Sequence, residues 1–323
     1  MQYTYIGIDV SKKSLSIAYF VRNNWKRTTI PNSILELELW LANLSVKNVH
    51  FIFEATGTYS SKLAYVLNEQ GLRFTILSPQ QSSNYSKLRG NSTKNDPRDA
   101  QLLSEYGQQF QPTCSTLPQA EEQELQQTLM ALRGLEKSRQ IFYNQRHALE
   151  QLAQPSTDLL AMLNENIAFM NNKITELEKK ISDLLETDSL QTISELMLTV
   201  KGVGPGIVAS IWAEIGNPLR FDSPKQFAKF AGLTPILYSS GKSSKNAGIP
   251  KRKGSRLRRN LYMAVMSAIR YNQPCKELFE RMRAKNKPER IVHWAVAHKM
   301  LRQIWAVVKY GQPFVNSVNF SRK

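Results

Sequence analysis

Tyr3-Thr4-Tyr5-Ile6-Gly7-Ile8-Asp9 is an apolar run that ends in an acid, and Val49-His50-Phe51-Ile52-Phe53-Glu54 repeats the arrangement forty-odd residues later. Short apolar runs closed by an acid read as buried strands. Each acid is then a carboxylate held rigidly at the edge of a sheet, and Gly7 permits close packing beside the first of them. Acids at matching ends of neighbouring strands approach to within a few ångströms, where they repel unless a cation lies between them. A strand-end acid is also a common turn residue, so two alone decide little.

Working outward, residues 15–21 form a second apolar run, and residues 26–30 close an antiparallel meander as a third strand. Residues 33–44 have helical spacing (Leu37, Leu41, Leu44) behind Ser33 as cap. Residues 60–70 read as a helix stopped by Gly71, and residues 74–77 as a short strand before Pro79. Three strands, then helix, strand, helix, strand and helix is the element order of a ribonuclease-H-like α/β domain.

Lys94-Asn95-Asp96-Pro97-Arg98-Asp99-Ala100-Gln101 opens the last of these helices. Asp96 before Pro97 is a good N-cap, and Asp99 resembles a capping-box partner. Positions i and i+3 also share a helix face, so both carboxylates can address one cation. Asp9, Glu54, Asp96 and Asp99 together supply what a two-metal phosphoryl-transfer site needs, hard oxygen ligands for two Mg²⁺ about 3.5–4 Å apart. Mn²⁺ is an acceptable substitute in such a site.

Beyond residue 120 the pattern turns helical. Leu163, Ile167, Met170, Ile174, Leu177, Ile181 and Leu184 recur at alternating spacings of four and three, an a/d seam flanked by Glu176, Glu178, Lys179 and Lys180. A coiled coil between protomers and an intramolecular hairpin with a helix over residues 121–151 both satisfy it, and the former is preferred. From residue 196 the chain is helical and basic, broken by Gly/Pro/Ser-rich stretches at 202–206, 216–218, 232–235 and 239–254.

The 323 residues suffice for two or more cores and carry a formal net charge of +17. Residues 201–323 hold 24 Lys and Arg against 5 Asp and Glu, while the first 200 hold 19 against 21. The entire excess therefore lies in the C-terminal third, which points to a polyanionic partner bound by counterion release. No apolar run is long enough for a membrane span, and the N-terminus lacks the pattern of a signal peptide. Cys114 and Cys275 lie far apart without metal-ligand spacing. These features fit a reducing, cytoplasmic setting.

Two further stretches carry chemistry. Thr199-Val200-Lys201-Gly202-Val203-Gly204-Pro205-Gly206 reads as a helix-hairpin-helix turn, whose Lys201 and whose backbone amides at Gly202 and Gly204 suit a DNA phosphate. Tyr238-Ser239-Ser240-Gly241-Lys242-Ser243-Ser244-Lys245 is a Gly/Ser loop followed by Lys251, Arg252, Lys253, Arg256, Arg258 and Arg259, a run that suits DNA backbone. A serine beside such cations can attack a phosphodiester, although Ser/Gly loops are common and no histidine is adjacent.

Six ordered blocks make the chain resemble the DEDD insertion-sequence transposases, the bridge-RNA-guided recombinases, and their relatives the pilin-gene DNA invertases. The blocks are Tyr5-Ile6-Gly7-Ile8-Asp9, Glu54-Ala55-Thr56-Gly57-Thr58-Tyr59, Asp96-Pro97-Arg98-Asp99-Ala100, Phe230-Ala231-Gly232-Leu233-Thr234-Pro235, Tyr238-Ser239-Ser240-Gly241 and Leu257-Arg258-Arg259-Asn260-Leu261-Tyr262-Met263. The resemblance implies a RuvC-like domain over residues 1–112, a helical coiled-coil insert over 113–190 and a basic, mainly helical transposase domain over 191–323. It also implies a nucleophilic serine, which falls on Ser240 with Ser239 as second choice. A composite site follows, in which the serine of one protomer joins the carboxylates of another within a dimer or tetramer, and a structured guide RNA selects donor and target DNA.

The expected activity is cleavage and rejoining of double-stranded DNA through a phosphoserine linkage. A junction nuclease using metal-activated water, a dedicated invertase and a non-enzymatic nucleic-acid scaffold are the alternatives.

Overall fold

A computed structural model describes residues 3–90, 96–234, 237–240, 243–246 and 256–316. Lys251, Arg252 and Lys253 lie outside the described residues, as do the side chains of Asp96, Ser239, Ser240 and Arg256. The chain divides into two compact units, residues 1–117 and 118–323.

The first unit runs β1 (Thr4–Val10), β2 (Ser14–Val21), β3 (Asn24–Pro31), α1 (Ile34–Ala42), β4 (Val49–Glu54), α2 (Ser61–Glu69), β5 (Arg73–Leu77), α3 (Pro79–Leu88) and α4 (Asp96–Phe110), the order expected from the sequence with one helix more, α3, between β5 and the Asp96 helix. The strands form one sheet in the order β3-β2-β1-β4-β5. The first three are antiparallel, and β4 and β5 run parallel to β1 and to each other. Ser33 caps α1 by accepting from the Glu36 amide, and Ser78 and Gln81 make a reciprocal capping box on α3.

Alternation along the strands decides what each sheet face meets. Ile6 and Ile8 of β1 and Phe51 and Phe53 of β4 join Leu37, Leu63 and Leu67 in a core under α1 and α2. Tyr5 and Ile52 turn the other way, toward Leu77 and Leu103. On that side α4 lies close to the strands because both surfaces are pared down. A Cβ at Gly7 would collide with the Ala100 carbonyl and the Ser104 amide, and one at Gly107 with the Tyr5 ring. The Ser104 hydroxyl donates to the Tyr5 carbonyl at 2.7 Å, pinning the crossing.

At the opposite end of β4, His50 is 1% exposed. The Thr75 hydroxyl donates to the Thr113 carbonyl at 2.7 Å, so its oxygen accepts from His50 Nε2 at 2.8 Å. Burial, reinforced by the nearby Arg73 cation, pushes the imidazole down from 6.5 to about 4. A ring neutral in the folded chain and protonated in the unfolded one contributes stability that is complete above pH 6.5 and is lost as pH falls toward 4. Between pH 8 and pH 5 the loss from this group is on the order of 2 kcal/mol. Urea melts of the His50→Gln variant are expected to show a correspondingly shallower acid loss than the parent, and equal slopes would refute the assignment.

Among the described residues the second unit is helical apart from one strand pair. It contains α5 (Ala120–Glu150), α6 (Thr157–Leu185), α7 (Asp188–Thr199), α8 (Pro205–Glu214), a 3-10 turn at Pro218–Arg220, α9 (Pro224–Phe230), β6 (Leu237–Ser240), β7 (Ser243–Asn246), α10 (Arg256–Tyr271), α11 (Gln273–Ala284) and α12 (Glu289–Tyr310). Helices α5 and α6 form an antiparallel hairpin, bridged by Lys180–Glu124, Arg139–Asn171 and Arg146–Asn164. Ile174, Ile181 and Leu184 of the a/d seam are buried in one core with Leu125, Leu129 and Leu132 of α5. At these positions the seam is filled within one chain, the intramolecular alternative, while Met162 and Phe169 of α6 stay exposed.

The Ser/Gly stretch is likewise not a plain loop, since β6 and β7 pair antiparallel with Ser240 opposite Ser243. Among the described residues no helix is long and apolar enough to cross a membrane.

Candidate active site and nucleic-acid surface

Ile8 pairs with Phe53 in the parallel β1–β4 ladder, so Asp9 and Glu54 follow at the same end of neighbouring strands. Period two puts Asp9 on the face of Tyr5 and Gly7, and Glu54 on the face of Ile52, the side covered by α4. Asp99 sits in the first turn of α4, next to Ala100, whose carbonyl lies against Gly7. The sheet end thus carries Asp9 and Glu54, and the start of the helix that crosses it at Gly7 carries Asp99. Asp9, Glu54 and Asp99 are all half-buried.

Among the described residues no three His, Cys, Asp or Glu side chains close into a cluster able to hold a metal ion. The donor set itself, carboxylate oxygens with no sulfur or imidazole, suits a hard divalent cation.

Several positioning contacts had no signal in the sequence. The Ser82 hydroxyl of α3 donates to Glu54 Oε2. Asn32 Nδ2 donates to the carbonyls of Ser11 at 2.9 Å and Tyr59 at 3.1 Å, tying together the two loops that follow the strand-end acids. Arg27 of β3 donates to Gln101 Oε1 at 2.8 Å, and Gln101 donates onward to Glu105 at 2.9 Å. Glu105 also pairs with Arg89 and Arg98 at 2.9 and 3.4 Å, so the start of α4 is braced from the end of α3 and from within its own first turn. Arg27 and Asn32 are polar residues of the meander whose partners lie far along the chain, and only the folded sheet brings them together.

In the second unit, the glycine turn links α7 to α8. Gly202 has φ +95° and lies against the Ala268 backbone of α10, so a side chain is excluded there twice over. Asn272 Nδ2 donates to the Lys201 carbonyl at 3.1 Å, fixing the turn to the α10–α11 corner. Gly204 is the N-cap residue of α8, with open space where a Cβ would stand. Glu214 accepts from both Arg133 of α5 and the Leu257 amide of α10 (the latter at 3.1 Å), which sets Arg258 and Arg259 opposite α5.

These two arginines line a concavity of about 910 Å³ between α5, α10 and α12. Its other cations are Arg133, Lys137 and Arg139 of α5 and Arg290 of α12, and among the described residues Glu136 is the one acid in the wall. The Arg258–Arg259 step was legible as a basic run, but the α5 and α12 contributions are remote in sequence and were missed.

Residues 6–155 match the DEDD transposase family of IS110 type, and residues 194–280 match the Transposase IS116/IS110/IS902 family. The chain is 30% identical over 324 residues to a pilin gene-inverting protein of Moraxella bovis, covering 97% of this chain and 98% of that protein. It is 24% identical over 353 residues to the transposase for insertion sequence element IS1328 of Yersinia enterocolitica, covering 96% and 98%.

Proposed function

This chain belongs to the IS110/IS116 family of DEDD transposases and is thereby an enzyme that cuts and rejoins DNA, and we propose that it does so with a carboxylate metal site and the Ser240 hydroxyl as nucleophile. The observation that carries this reading is the register of β1 against β4, with Asp9 and Glu54 at one sheet end and the Asp99 turn of α4 crossing beside Gly7. Asp9, Glu54, Asp96 and Asp99 would hold a divalent cation, Mg²⁺ by preference with Mn²⁺ as substitute, which when bound neutralises charge at the scissile phosphate.

The chain's own groups do the rest. The sheet fixes Asp9 and Glu54, and Ser82 orients the Glu54 carboxylate. Ser240 Oγ attacks phosphorus, and the serine–phosphate bond forms as the bond to one sugar oxygen breaks. The serine proton passes to solvent, and the departing sugar oxygen takes one up. Attack by a sugar hydroxyl of the new partner strand reverses the step and frees the serine, so no phosphate-ester energy is lost between cutting and joining.

Lys201, Gly202 and Gly204, with the basic run Lys251, Arg252, Lys253, Arg256, Arg258 and Arg259, would hold the DNA backbone. The serine of one protomer serves the carboxylates of another, and a structured RNA selects donor and target. Support for these last two points is the resemblance of the six sequence blocks.

Ser240→Ala is expected to keep DNA binding and to lose any covalent protein–DNA adduct on a denaturing gel. An adduct that persists refutes Ser240, and hydrolysed ends with no adduct from the unaltered chain would point to metal-activated water instead. The full-length similarity to a pilin gene-inverting protein favours inversion as the second reading, distinguished by whether product junctions retain the DNA segment reversed in place.

A further inference from the structure

We propose that the concavity between α5, α10 and α12 is a seat for an unpaired nucleic-acid strand, with a base stacked on Trp294 and the flanking phosphates held by the surrounding cations. The proposal extends the reading above, since it presumes a nucleic-acid enzyme and names the form of strand this site takes.

The charge argument comes first. Six cationic side chains and one acid line a concavity of about 910 Å³. Arg133 is engaged with Glu214, and Arg139 with Asn171, which fixes the α5 wall in place. So many cations around one hollow repel one another, and a polyanion threading it relieves that repulsion.

The aromatic floor then selects the form of the polyanion. Trp294 is half-exposed, its ring 5.1 Å from that of Tyr262. Tyr262 is held edge-on to His293 at 5.4 Å, and His293 stacks on Phe279 at 6.1 Å. The Arg258 guanidinium lies 5.9 Å from the Trp294 ring centre. The column joins α10, α11 and α12, and Trp294 packs partly against the core beside it, which makes its ring a supported platform. A duplex keeps its base faces covered by their neighbours and offers such a platform nothing, whereas an unpaired strand offers both a base face and phosphates.

The test uses the full chain in EDTA, so that strand cleavage does not intervene. Fluorescence anisotropy is read with a labelled oligouridylate, a labelled oligothymidylate and a duplex of the same length. Trp294→Ala is expected to lower the ratio of single-strand to duplex affinity by about 10-fold or more. Trp294→Phe, which keeps a stacking face, is expected to retain the ratio. The paired reversal Lys137→Glu with Arg290→Glu is expected to weaken the single strand and flatten its salt dependence.

The two oligonucleotides tell a ribose strand from a deoxyribose one at the same seat. A ratio unchanged in Trp294→Ala, with fold verified by circular dichroism, overturns the proposal, as does loss of the ratio in Trp294→Phe. Because the readout is binding without cleavage, a normal ratio in a chain that forms no adduct would count against the serine mechanism and leave the seat standing.

Discussion

Asp9→Asn and Glu54→Gln are each expected to slow single-turnover strand cleavage by roughly 10³-fold or more, without lowering the stability of the metal-free chain. Both halves follow from one geometry. The two carboxylates end adjacent parallel strands on the same sheet face. An amide of the same shape keeps an oxygen that can accept a hydrogen bond and carries no charge into that sheet end, where unneutralised carboxylates would repel. Melting in EDTA should therefore stay level or rise slightly. A cation held by the site stabilises the folded form by mass action, so the parent should melt higher in Mg²⁺ and each variant should lose most of that rise. Full cleavage activity in either amide variant, or in EDTA, would remove the carboxylates from the mechanism. Loss of cleavage accompanied by a large fall in metal-free stability would recast them as structural.

What made these acids legible was the apolar run before each of them. A buried strand has few ways to end, and an acid at that point is fixed by everything that precedes it. The period of two then assigns its face. The same logic fails where pattern and partner come apart. The heptads of α6 state that a seam exists and are silent on what fills it, and Leu125, Leu129 and Leu132 of the preceding helix fill it. Residues 237–240 pair with residues 243–246 as strands although their serines and lysines lack apolar alternation, because backbone pairing in a short hairpin does not need that pattern. The basic concavity was half-visible as the Arg258–Arg259 step. Its α5 wall lies more than a hundred residues away in sequence, joined to α10 through Glu214, and no local pattern carries such a contact. Ser82 and Asn32 escaped for the same reason, since hydroxyl and amide side chains reveal their role only once their acceptors are beside them.

Gly7→Ala isolates the packing on which the site rests. A methyl group at this position would overlap the Ala100 carbonyl oxygen and the Ser104 amide nitrogen, with the Leu103 Cβ at 3.0 Å. The first two are backbone atoms within one helix, so neither can swing aside as a long side chain would. Relief requires α4 to lift from β1, which breaks the 2.7 Å bond from Ser104 to the Tyr5 carbonyl and opens the cluster of Tyr5, Ile52, Leu77 and Leu103. The expected cost is about 3 kcal/mol or more, at the upper end of overpacking effects. Because Asp99 rides on the same helix, cleavage should fall together with stability, in contrast to Asp9→Asn, where cleavage falls alone. Gly134→Ala supplies the control. That position lies within α5 with open space around its would-be Cβ, and alanine there should gain up to about 1 kcal/mol from helix propensity. Chemical denaturation of the two variants beside the parent decides the matter, and a Gly7→Ala chain as stable as the parent would mean that α4 does not lie this close to β1.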